Sequence, residues 1–218
     1  MARAAGAPQA GASAAPSRND RGPQGRGGAY VDGDRILLRP RDPGVPDVEI
    51  PNNVGAKGFV VGSASNLLEW AHTYKVPRDT AIPFQGNETL IGDAIARNPV
   101  PMIDDQPAST TGSRNNALPG QYVNSYRIPS PDPSRFTDVI VNYTIAGEHM
   151  LEEGYVIRYG ERDANGNTRL VTYGEGNAWE QHPANLLNAA GVQAAWTLNN
   201  RNIDADMQQR VQRTQPAR

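Results

Sequence analysis

Four side chains in the second half of the chain could do chemistry together if the backbone gathers them: His149, Arg158, Tyr173 and Glu175. An arginine fork holds a carboxylate or phosphate. A glutamate takes or gives a proton, a tyrosine donates or stacks, and a histidine changes charge near neutral pH. The reason to consider them as a set is a hairpin signal. Gly154–Arg162 and Thr168–Glu175 read as strands, and Asp163-Ala164-Asn165-Gly166-Asn167 lies between them. Asn-Gly is the strongest short hairpin dipeptide, because a type I′ turn needs positive φ at both central residues.

If Asn165-Gly166 is a two-residue loop, register follows by counting outwards. Ala164 faces Asn167, Arg162 faces Arg169, Arg158 faces Tyr173 and Val156 faces Glu175. Side chains alternate across a sheet. One face then carries Arg158, Tyr173 and Glu175 within cross-strand or diagonal reach. The other carries Tyr155, Ile157, Tyr159, Leu170 and Thr172 and is the better core face. The competing reading of the polar face is a solvated surface whose ion pair contributes about 0–1 kcal/mol.

His149 follows Glu148 at the end of the preceding strand, with Glu152 and Glu153 close behind. A carboxylate there could orient it as a base. The other histidines are His72 and His182, and no H-x-x-x-H or H-x-E zinc spacing occurs. The G-x-G-x-x-G fingerprint is also missing, so no metal or cofactor is assigned. Gly62-Ser63-Ala64-Ser65 lacks the G-x-S-x-G of a nucleophile elbow and reads as a helix cap. Ser109-Thr110-Thr111 with Arg114 is a weak phosphate-holding pattern in a loop.

The elements that must position these residues can be read from periodicity. Arg35–Arg39 and Gly58–Val61 read as short strands, and Gln121–Ile128 as another. Val139–Ile145 is β-branched and aromatic with apolar odd positions, the strongest strand of the chain. Helices are predicted at 66–74, where Leu67, Leu68, Trp70 and Ala71 have helical spacing, and at 89–97, ended by Pro99. A third is predicted at 185–200, followed by a short polar one at 204–213. The stretch 98–135 contains seven prolines and reads as a long loop.

Composition frames the whole. The chain has 218 residues, 38% of them hydrophobic, with 22 glycines and 18 prolines. Residues 1–29 contain no Val, Ile, Leu or aromatic and are expected to be a disordered Arg/Gly/Pro-rich arm. Residues 30–200 are expected to form one domain, and 201–218 a polar basic tail. The two ends carry +3 and +2, so a net charge of −2 leaves −7 on the body. Basic ends on an acidic body can touch nucleic acid, an anionic surface or the body itself. Solvated tails are the preferred reading, and nucleic-acid contact by the arm the lesser one.

With no cysteine, disulfides and thiolate chemistry are excluded. No apolar run reaches the ~18 residues of a transmembrane span. The N-terminus lacks the apolar stretch of a Sec signal peptide, so the compartment stays open between bacterial cytoplasm and export by another route. Only Lys57 and Lys75 among 21 basic residues are lysine, a bias of GC-rich bacterial or phage coding sequence.

The fold class expected is α+β: an antiparallel sheet built from strands within 136–176, with the Asn165-Gly166 hairpin, packed by two or three short helices. Two function classes follow. One is a secreted bacterial effector or toxin-type enzyme acting on an anionic or hydroxyl-bearing substrate at the polar sheet face, with Glu175, Arg158, Tyr173 and His149 as its catalytic set. The other is a non-enzymatic binding or structural protein, such as a phage or secretion-system component, that meets partners through its basic ends and surface.

Overall fold

The computed structural model describes residues 25–61, 70–101, 106–149, 151–178 and 184–214. Most of the predicted N-terminal arm, the Gly62–Ser65 turn and His182 lie outside the described residues. Among the described residues the architecture is α+β in three layers: a small antiparallel sheet, a large antiparallel sheet, and two helices.

The small sheet contains β1 (Gly28–Asp32), β2 (Arg35–Leu38), β3 (Val48–Pro51) and β4 (Phe59–Val60), in the order β3-β2-β1-β4. β1 starts at Gly28, inside the stretch read as arm. Arg26 is already tied to this sheet, donating from Nε to the Pro40 carbonyl at 2.8 Å and from Nη2 to Asp47 at 2.8 Å.

The large sheet has six strands. They are β5 (Trp70–Pro83), β6 (Ser113–Leu118), β7 (Gln121–Ile128), β8 (Val139–Thr144), β9 (Leu151–Arg162) and β10 (Asn167–Ala178), in the order β5-β10-β9-β8-β7-β6. The strands predicted over 121–128, 139–145, 154–162 and 168–175 are β7 to β10. The predicted loop 98–135 contains β7, as expected, and also its hairpin partner β6.

The helix predicted at 66–74 is corrected: from Trp70 onward the chain is strand β5, paired antiparallel with β10. Thr73, Lys75, Pro77, Asp79 and Ala81 are exposed, while the residues between them are buried or half-buried. That period of two, sustained along the strand and locked by β10, outweighs a brief helical stripe. Pro77 and Pro83 are tolerated because β5 is an edge strand.

Helix α1 (Glu88–Arg97) buries Ile91, Ala94 and Ile95, as its spacing predicts. Helix α2 (Ala184–Thr214) is one 31-residue helix where the sequence suggested two. Trp196, Asn199, Asn200, Ile203, Asp204 and Met207 form its buried stripe, which runs unbroken through the expected interruption.

The cores lie on both sides of the large sheet. Ile36, Leu38, Ile50 and Phe59 of the small sheet pack with Tyr126, Val141, Ile157, Tyr159 and Tyr173. On the opposite side Ile91 and Ile95 of α1 and Ile203 and Met207 of α2 pack with Ile140 and Leu170. The β9–β10 hairpin is therefore covered on both faces.

Candidate functional site

The hairpin register differs by one residue from the expectation. Thr172, not Tyr173, lies opposite Arg158; Tyr173 faces Ile157, and Glu175 faces Tyr155. The cause is Asp163. Its Oδ1 accepts the backbone N–H groups of Asn165 and Asn167, both at 2.8 Å. Its own N–H donates to the Asn167 carbonyl at 2.8 Å, and the Gly166 N–H donates to its carbonyl at 3.1 Å. Ala164, Asn165 and Gly166 thus form a three-residue loop ending in a glycine with φ +81°, the next most common hairpin solution after the two-residue turn.

A slip of one residue moves side chains to opposite faces. Arg158 lies with Thr172 on the helix-facing side, while Tyr173 and Glu175 lie with Tyr155 between the sheets. The proposed union of Arg158 with Tyr173 and Glu175 on one polar face is corrected accordingly. Neither face of the hairpin is a solvated surface.

Glu175 is 1% exposed. Its Oε2 accepts the Tyr155 hydroxyl at 2.5 Å. Its Oε1 accepts the Tyr173 hydroxyl and, at 2.6 Å, the backbone N–H of Arg41 from the β2–β3 connection. Burial, with the Glu175 carboxylate beside them, pushes the Tyr155 and Tyr173 phenols well above the ordinary tyrosine range. They remain proton donors to the carboxylate. A second buried acid, Glu153, accepts the backbone N–H of Lys57. Two carboxylates of the large sheet therefore receive backbone N–H groups from the β2–β3 and β3–β4 connections of the small one.

Arg158 is likewise 1% exposed. Its Nη1 donates to the carbonyls of Asn98 and Pro99, the latter at 3.1 Å. Its Nη2 donates to Asn199 Oδ1 at 2.6 Å and Asn200 Oδ1 at 2.9 Å, and its Nε to Thr172 Oγ1 at 3.3 Å. The Trp196 ring lies 4.7 Å from the guanidinium carbon. One arginine thus joins the end of α1, the middle of α2 and the β9–β10 hairpin.

The arginine sits within a longer buried polar ladder that sequence reasoning missed. Asn115 of β6 donates to Ser125 of β7 at 2.8 Å, and Ser125 to Asn142 of β8 at 2.7 Å. Asn142 donates to the Pro99 carbonyl at 2.7 Å, an oxygen it shares with Arg158. Asn200 of α2 continues to the Val76 carbonyl of β5 at 3.3 Å. A signal was present: Asn142 is a polar residue inside the most β-branched strand, and Asn199-Asn200 are amides set between apolar Trp196 and Ile203 in α2.

His149 occupies the β8–β9 turn, half-buried, and bonds neither Glu175 nor Tyr173. Arg114, the candidate phosphate holder, pairs with Glu148 at 2.5 Å and lies 3.6 Å over the Tyr122 ring. Among the described residues no group of three or more acidic or histidine side chains could hold a metal, and no helix is long and apolar enough to cross a membrane.

No protein-family model matches the chain, and no curated protein matches it. Among solved structures it is similar to one described as "Crystal structure of Ara h 8.0201", with 16% identity and a TM-score of 0.42, over 64% of this chain and 99% of that one.

Proposed function

We propose that this chain is a non-enzymatic binding or structural protein, of the kind found as a phage or secretion-system component, that contacts partners through its outer surface and basic ends. One observation carries the reading. Glu175 and Arg158, the polar groups best suited to chemistry, are each 1% exposed and bonded to protein partners. A general acid, base or anion holder has to reach the reacting group of a substrate, and these two reach the protein's own backbone and side chains.

Expression in a bacterial host separates this reading from the effector-enzyme alternative. Wild type and Glu175→Gln are compared for growth inhibition at matched levels of folded protein. Equal effects, or none from either, support the binding reading. A folded Glu175→Gln chain that has lost a growth effect the wild type retains assigns chemistry to the carboxylate and returns the enzyme reading.

A further inference from the structure

A cleft of about 220 Å³ opens between the Pro43–Asp47 loop and the corner formed by Arg135 and Phe136, with Arg26 on its wall. It shares no lining residue with either buried polar cluster. We propose that this cleft binds a single oxyanion group, a carboxylate or a phosphate, carried by a small molecule or a chain end.

Three features support this. The Arg135 guanidinium lies 4.5 Å from the centre of the Phe136 ring and makes no hydrogen bond or ion pair among the described residues. Stacking orders a guanidinium without consuming its N–H groups, leaving the fork ready for a planar oxyanion. Its backbone is fixed as well: the Arg135 N–H donates to the Asp132 carbonyl at 3.0 Å, and the Arg162 N–H donates to the Arg135 carbonyl at 3.0 Å.

Arg26, which also lines the cleft, is held through Nε and Nη2 by Pro40, Val45 and Asp47. Its Nη1 makes no hydrogen bond among the described residues. Asp47 shows the chemistry that this arginine accepts, since its carboxylate pairs with Nη2 at 2.8 Å while 43% of the side chain remains exposed.

The Pro43–Asp47 loop that lines the cleft is preorganised. Asp42 accepts the Gly44 N–H at 2.8 Å through Oδ1 and the Val45 N–H at 3.1 Å through its carbonyl. Pro43 and Pro46 fix φ and supply no N–H, so recognition of an anion falls to the two guanidinium groups. Two arginines and one aspartate give the lining a charge of +1, which a monoanion neutralises. Asp47 competes for Arg26 and should weaken the site.

The test is an NMR titration of the arginine side-chain N–H resonances of the full chain. Inorganic phosphate and acetate are the probes, and sodium chloride at matched ionic strength is the control. The expected result is saturable shifts at Arg26 and Arg135 beyond the chloride response. Affinity should fall about ten-fold or more in Arg135→Gln, the loss of one charge-assisted fork, and rise in Asp47→Asn. Saturation by phosphate alone assigns a phosphate-bearing ligand, and by acetate alone a carboxylate. Shifts that merely follow chloride, or Arg135→Gln binding like wild type with an unchanged backbone spectrum, overturn the proposal. This outcome is independent of whether the chain is an enzyme.

Discussion

Glu175 and Arg158 are both single charges taken out of water, yet they are satisfied in different ways. Glu175 is met by two phenols and a backbone amide, whereas Arg158 is met by carbonyl and amide oxygens and a hydroxyl. Glu175→Gln keeps the shape but weakens three charge-assisted bonds and should lower folding stability by about 2–4 kcal/mol. That is well above the ~0.5 kcal/mol typical of an exposed position. Arg158→Ala removes the shared donor of five oxygens and should cost about 3–5 kcal/mol. Urea denaturation of the two variants checks both figures.

The tyrosines make a separate prediction. Burial first, and then neighbouring acids, raise the phenols of Tyr143, Tyr155 and Tyr173 above the ordinary value. A raised folded value means that stability is intact below the unfolded tyrosine pKa of about 10 and declines as pH rises past it. Phenolate absorbance followed against pH should show these tyrosines ionising together with loss of circular dichroism. Smooth ionisation of the still-folded protein would argue that they are accessible.

At the scale of the element, the hairpin turn decides where the chemistry-bearing residues go. Asp163→Ala removes two side-chain bonds to the backbone and should cost about 1–2 kcal/mol. Gly166→Ala forces a Cβ into φ +81° and should cost about 1 kcal/mol or more. Thermal melts give both numbers. Amide exchange tests the register: in Asp163→Ala the competing two-residue turn would place Arg158 opposite Tyr173. The sequence made the strands legible because β-branched and aromatic residues alternate along them. It did not reveal that an aspartate side chain, acting on the backbone two and four residues ahead, would select the three-residue loop over the Asn-Gly turn.

The remaining prediction belongs to the whole molecule. The small sheet docks through apolar contacts and through backbone N–H groups given to Glu175 and Glu153, so its integrity bears on the large sheet as well. Residues 1–24 contain no Val, Ile, Leu or aromatic residue, and deleting them should leave the melting temperature nearly unchanged. Deleting residues 1–29 also removes Arg26 and the first half of β1. Ala29 is buried there, and the Gly27 N–H donates to the Arg39 carbonyl at 2.6 Å. That truncation should cost roughly 3 kcal/mol or more. Differential scanning calorimetry of the two truncations distinguishes them, and equal melting temperatures would mean that Arg26 and β1 contribute nothing.

By itself the sequence determined what is local. It contained the strands that became β7 to β10, helix α1 and the 185–200 part of α2, because each carries its own periodicity. Only the tertiary structure decided what covers each face. The helical stripe at 66–74 yielded from Trp70 onward to β10, which offered β5 a long antiparallel partner. The face expected to be solvated was split between two interiors, because a sheet from residues 28–60 covers one side and helices from both halves of the chain cover the other. Periodicity fixes which side chains share a face. Whether that face meets water depends on segments far away in the chain, so the same arginine and glutamate that read as a surface site became the buried polar supports of the fold.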